Sequence, residues 1–149
     1  RKTELGTASV AIRNSQGEIV VSGTAEVAET APGVFTLDQS GMGEGAVLNA
    51  VTYGGGPFRI TTPEIPGGDK RTRLSIFGTG LRYAGDSRPD APLPNVASAV
   101  SVTARTSEGQ VHSLPVEYCG PAPGFFGLDQ INVVLGDELD GIGVSEITV

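Results

Sequence analysis

Ala31-Pro32-Gly33-Val34-Phe35-Thr36-Leu37-Asp38-Gln39 recurs 91 residues later as Ala122-Pro123-Gly124-Phe125-Phe126-Gly127-Leu128-Asp129-Gln130, with seven of the nine positions identical. Each copy follows a run that alternates like a β-strand. Proline fixes φ, glycine tolerates positive φ, and the aromatic that follows can enter a core. The nonapeptide therefore reads as a chain corner. Its structural residues are Pro32, Gly33 and Phe35 in one copy, and Pro123, Gly124 and Phe126 in the other. A spacing of this size fits one module, so the copies are expected to be equivalent corners, each placing a Phe in a core.

Before the first copy, Leu5–Asn14 puts Ala8, Val10 and Ile12 on one face and Ser9, Ala11 and Arg13 on the other. Ser15-Gln16-Gly17 has turn chemistry and Glu18–Val27 returns, which predicts a β-hairpin. Between the copies, Ala46–Tyr53, Phe58–Thr62, Arg71–Phe77 and Ala99–Arg105 read as strands between glycine- and proline-rich turns. Tyr83–Asn95 reads as a surface loop. Ser107-Glu108-Gly109 then turns the chain into one strand, Val111–Tyr118, with Leu114, Val116 and Tyr118 sharing a face. After the second copy, strands Gln130–Leu135 and Val144–Val149 flank a polar turn, Gly136–Gly143. Sustained helical periodicity is absent.

About eight short strands with turn signals at roughly 8–12-residue spacing predict an all-β chain of immunoglobulin-like β-sandwich type. Residues 31–149 form the expected sandwich. Residues 1–30 form a hairpin that either ends a preceding module or is a region of exchanged strand.

Composition narrows the partners. Gly (22) and Pro (10) are frequent in the 149 residues and Trp is absent, which suits many strands and turns. Seventeen acidic residues against ten basic give a net charge of −7, a field that repels a polyanion and excludes nucleic acid as a partner. No apolar run approaches the roughly 18 residues of a membrane span, so membrane insertion is not expected. A single cysteine rules out an intrachain disulfide and leaves the redox compartment open. The start at Arg1 is expected to reflect processing or truncation.

No catalytic constellation emerges. His112 is the one histidine and reads as a strand-end residue. Cys119 lacks a neighbouring base and reads as a small buried hydrophobe. No Gly-x-Ser-x-Gly elbow is present, and neither Gly41–Gly45 nor Gly78-Thr79-Gly80 has the Lys or helix of a phosphate loop. Asp137, Glu138 and Asp140 are the calcium candidates, but their number falls short of a full oxygen shell and their spacing is not that of an EF-hand. A solvated turn is the plainer reading, and no cofactor is expected. Asp38 and Asp129 occupy matching positions and read as caps on their own turns. Tyr53, Phe58 and Tyr83 lie near loops and would be the rings of a sugar-stacking platform.

The order Ala31 to Phe35, Phe77-Gly78-Thr79-Gly80-Leu81, Pro115-Val116-Glu117-Tyr118, Gly120 to Gly124 and Gly127 to Val133 resembles one family. It is similar to the Solibacter-type C-terminal domain of secreted acidobacterial proteins, over about Leu5 to Val149. The resemblance implies tandem immunoglobulin-like modules on exported, extracellular or cell-surface proteins, with no established catalytic residues. It also implies a further strand after the position of Val149, and makes Leu5–Val27 the closing strands of a preceding module. Gly6–Ile12 then parallels Gly143–Val149.

The function expected is that of a non-enzymatic structural or adhesion module. Its partners would be copies of itself or adjacent modules. A narrower form is assembly into a filament or surface array by strand addition, with Arg1–Asn14 and Glu146–Val149 as the exchanging segments. The alternative is a module that binds carbohydrate or another ligand through the Tyr53–Phe58 and Tyr83–Asn95 loops. A hydrolase using His112 is the third class.

Overall fold

The computed structural model describes residues 4–28, 31–81 and 95–149, and every count below refers to these. The expected Tyr83–Asn95 loop, apart from Asn95, lies outside them, as do residues 1–3 of the N-terminal exchanging segment. The described chain is all-β, with two short 3-10 turns at Ala97–Ala99 and Asp137–Leu139.

Three antiparallel sheets form. The first is the hairpin of β1 (Gly6–Arg13) and β2 (Ile19–Val27). The second runs from β8 (Val116–Pro121) through β9 (Asp129–Val134) to β5 (Arg73–Thr79). Two short strands share the far edge of β5: β3 (Gly33–Val34) pairs at Gly78–Thr79 and β4 (Val47–Asn49) at Leu74–Ile76. The third sheet has the order β10 (Val144–Thr148), β6 (Val102–Thr106), β7 (Val111–Leu114).

The second and third sheets close on one core. Leu74 and Ile76 from β5, Cys119 from β8 and Ile131 and Val133 from β9 meet Val102 and Ala104 from β6 and Leu114 from β7. The two-residue alternation of these positions explains the arrangement, since every second side chain of a strand points inward. Pro115 fixes the relation between the layers. Val111–Tyr118 was expected to be one strand, but the chain changes sheet at Pro115, with β7 ending at Leu114 and β8 starting at Val116. Proline has no N–H to continue a ladder, and its carbonyl instead accepts the Val134 amide at 3.0 Å.

Strand β4 is shorter than the Ala46–Tyr53 expected. The Asn49 side-chain oxygen takes the Val51 and Thr52 amides at 2.9 and 3.0 Å, and the Tyr53 amide bonds back to the Asn49 carbonyl. This local turn competes successfully with the ladder.

The two copies of the nonapeptide are not equivalent corners. In the first copy Gly33 and Val34 are strand β3, lying against β5. The contact is close: a Cβ on Gly78 would stand 2.5 Å from the Gly33 carbonyl oxygen, and one on Gly80 would collide with the Ala31 carbonyl. The second copy is a compact turn between β8 and β9, closed by the Ala122 amide on the Leu128 carbonyl, with Gly124 at φ 80°. Neither copy puts its Phe in the core. Phe35 is 43% exposed and Phe126 is fully exposed. The conformation follows what lies opposite: Gly78–Thr79 pairs with the first copy, and among the described residues no strand pairs with Pro123–Gly127.

Ile131→Ala, at a fully buried position of β9, should lower unfolding free energy in urea by about 2–5 kcal/mol. Val10→Ala on the exposed hairpin should change it by less than about 0.5 kcal/mol when the chain is dilute enough to be unassociated. Gly80→Ala should cost more than about 1 kcal/mol, because it adds a Cβ where φ is positive and the Ala31 backbone is in contact.

Candidate functional site

The polar candidates do not converge. Among the described residues the buried Nε2 of His112 has no hydrogen-bond partner. Cys119 is completely buried, and burial first, then the charge of Asp129, pushes its thiol pKa up, away from a reactive thiolate. Asp137, Glu138 and Asp140 lie on one exposed turn whose inward residue is Leu139. Among the described residues no group of three or more His, Cys, Asp or Glu could hold a metal ion.

The two matched aspartates have separate jobs. Asp38 caps its own turn, accepting the Ser40 amide at 3.1 Å, and that hydrogen bond leads in holding its carboxyl below the usual range. Asp129 does not follow the expected pattern. It is buried, and its Oδ2 accepts the Leu81 amide at 3.0 Å, across 48 residues of sequence. The aromatic platform does not assemble from its described members either. Tyr53 stands out at 75% exposure, Phe58 packs against the core, and Tyr83 lies outside the described residues.

One ionic cluster went unread in the sequence. Asp69 bonds Arg71 and Arg73 at 2.9 Å each, and Arg73 reaches across β9 to Glu117 at 3.0 Å. Hydrogen bonds from Arg71 and Arg73 hold the Asp69 carboxyl far below its ordinary value near 3.8. The cluster ties the loop before β5 to β8. Its alternation of Asp69, Arg71 and Arg73 was the available signal, but Glu117 is 44 residues away.

One recess is mainly apolar. A trough of about 780 Å³ opens between the two core sheets, along the side where β10 faces β3 and β4. Val34, Val47 and Ile76 line one wall, and Leu139, Ile147 and Val149 the other. Its origin is topological. The β8-β9-β5 sheet carries β3 and β4 as a fourth position, whereas the facing sheet has three strands and stops at β10. Among the described residues, β10 pairs on one side only, with β6. The opposite end is treated differently. There the edge of β8 is covered by Asn95 and Val96, through the Val96 amide on the Cys119 carbonyl and the Cys119 amide on Asn95 Oδ1.

The hairpin is the second unusual surface. Its register puts Ala8, Val10 and Ile12 opposite Ala25, Gly23 and Val21, so one face is entirely apolar. The other face is mainly polar, with Thr7, Ser9, Ala11 and Arg13 opposite Glu26, Thr24, Ser22 and Ile19. Yet the apolar face is open to water, with Val10 at 49%, Ile12 at 57% and Val21 at 58% exposure. Comparison of the chain with family models, with curated proteins and with solved structures gives no match.

A pH effect follows from Asp69. Its depressed pKa makes it stabilising above its ordinary value, and that contribution is lost as acid drives the pH down through the lowered value. Asp69→Asn should therefore be less stable than the unaltered chain in urea at neutral pH. The gap should close in strong acid, and an equal gap at both extremes would contradict the assignment.

Proposed function

We propose that this chain is a non-enzymatic structural or adhesion module, an immunoglobulin-like β-sandwich that works by pairing protein strands at its sheet edges in a filament or surface array. The observation that carries the reading is the amphipathic hairpin. A two-stranded hairpin is marginal in water, and this one leaves its whole apolar face uncovered. An exposed patch of that kind on a regular sheet marks a contact surface. The trough beside β10 supports the same reading, because an edge strand with an apolar floor next to it is a template for strand addition. The extracellular setting and the tandem-module context are drawn from the Solibacter-type resemblance.

The glycan-binding alternative finds less support. Tyr53 is exposed, whereas Phe58 is engaged against the core. The amides on the outer face of β9 are already used on one another, with Gln130 Nε2 at 2.7 Å from Asn132 Oδ1 and Ser75 Oγ at 3.1 Å from the same oxygen.

The test is the state of the intact chain. Light scattering after size exclusion, with electron microscopy of the same fractions, should show association that grows with concentration. A compact monomer throughout would contradict the proposal.

A further inference from the structure

Resting on that reading, we infer that the hairpin of one chain seats in the trough of a second copy, extending its three-stranded sheet beyond β10. The occupant is identified by a likeness between two hairpins of the same chain. Ser9-Val10-Ala11-Ile12-Arg13-Asn14-Ser15-Gln16-Gly17 matches Ser101-Val102-Thr103-Ala104-Arg105-Thr106-Ser107-Glu108-Gly109 at five of nine positions. Their turns are built alike. The Gly17 amide bonds the Asn14 carbonyl and the Gly109 amide bonds the Thr106 carbonyl, both at 3.0 Å, with the glycines at φ 84° and 86°. Asn14 Oδ1 accepts the Glu18 amide at 3.0 Å, and Thr106 Oγ1 accepts the equivalent Gln110 amide at 3.1 Å.

The second hairpin, β6-β7, belongs to the sheet that borders the trough. There Val102 and Ala104 are 2% and 0% exposed, whereas their counterparts Val10 and Ile12 face water. The β1-β2 hairpin thus has the sequence, turn and inward face of a component of this sheet, without a facing layer of its own.

The trough supplies such a layer. Its floor is Val34, Val47 and Ile76, and its open side is the edge of β10 that pairs with no strand among the described residues. With eight and nine residues, β1 and β2 are each long enough to run the five residues of β10. The polar hairpin face would then remain in water, as an outer sheet face should. Each chain carries one hairpin and one trough, so the contact is head-to-tail and propagates into an open filament unless its rotation closes a ring.

Charge placed on either surface separates the possibilities. Ile12→Arg with Val21→Arg spoils the hairpin and leaves the trough intact. Val34→Arg with Val144→Arg spoils the trough and leaves the hairpin intact, at positions 36% and 42% exposed, where folding tolerates the change. Thermal melts of both variants check that the sandwich is kept. Sedimentation velocity should show each variant alone losing self-association on the order of 100-fold or more, because the contact would bury unpaired charge. Mixed one to one, they should form a dimer that grows no further, through the one intact hairpin and the one intact trough. Association of the unaltered chain that survives both pairs of substitutions, or variants that fail to complement, would overturn this inference and leave edge pairing through another strand standing. An unaltered chain that stays monomeric would overturn both.

Discussion

A β-sheet in water has to cover one face with apolar partners and satisfy the backbone groups along its edges, and this molecule meets both demands with layers of unequal width. Four strand positions in one sheet face three in the other. Pro115 passes the chain from β7 into β8 with a single residue, so the layers are matched at that side and the mismatch accumulates at the far side. There Val34, Val47 and Ile76 lie under the edge of β10, and the apolar trough is the direct result. The rest of the structure serves this frame. Gly78 and Gly80 let Ala31–Gly33 lie against β5, and the Asp69–Arg73–Glu117 cluster ties β5 to β8 across β9.

The hairpin inverts the problem. Among the described residues it has an apolar face and no layer to cover it, while the sandwich has an apolar floor and fewer strands over it. Neither feature costs much if the two meet, and each is a liability in isolation. That complementarity, within one chain, is the physical basis for reading the protein as an assembly module.

How far the sequence foretold this depended on whether a feature was local. The hairpin was legible because alternation and turn chemistry both lie within Leu5–Val27. The inward faces of β6 and β9 were legible because Val102, Ala104, Ile131 and Val133 keep the two-residue period and are all buried. The nonapeptide was not. Identical Ala-Pro-Gly triplets became a strand in one place and a turn in the other, because Gly78–Thr79 waits opposite only the first. Phe35 and Phe126 were expected inside and stand exposed for the same reason: where an aromatic goes is decided by the surface it meets. Asp129 escaped too, since its partner, the Leu81 amide, is remote in sequence. The trough could not be read at all. It arises from counting strands per layer, and that count needs the sheet-switching proline and the tandem placement of β3 and β4 on one edge.

Hydrogen exchange across a concentration series tests the central claim most directly. Pairing between copies predicts that amides of β10, and of β1 and β2, become more protected as concentration rises, while those of β9 stay unchanged. Exchange at β10 and in the hairpin that is independent of concentration would contradict it.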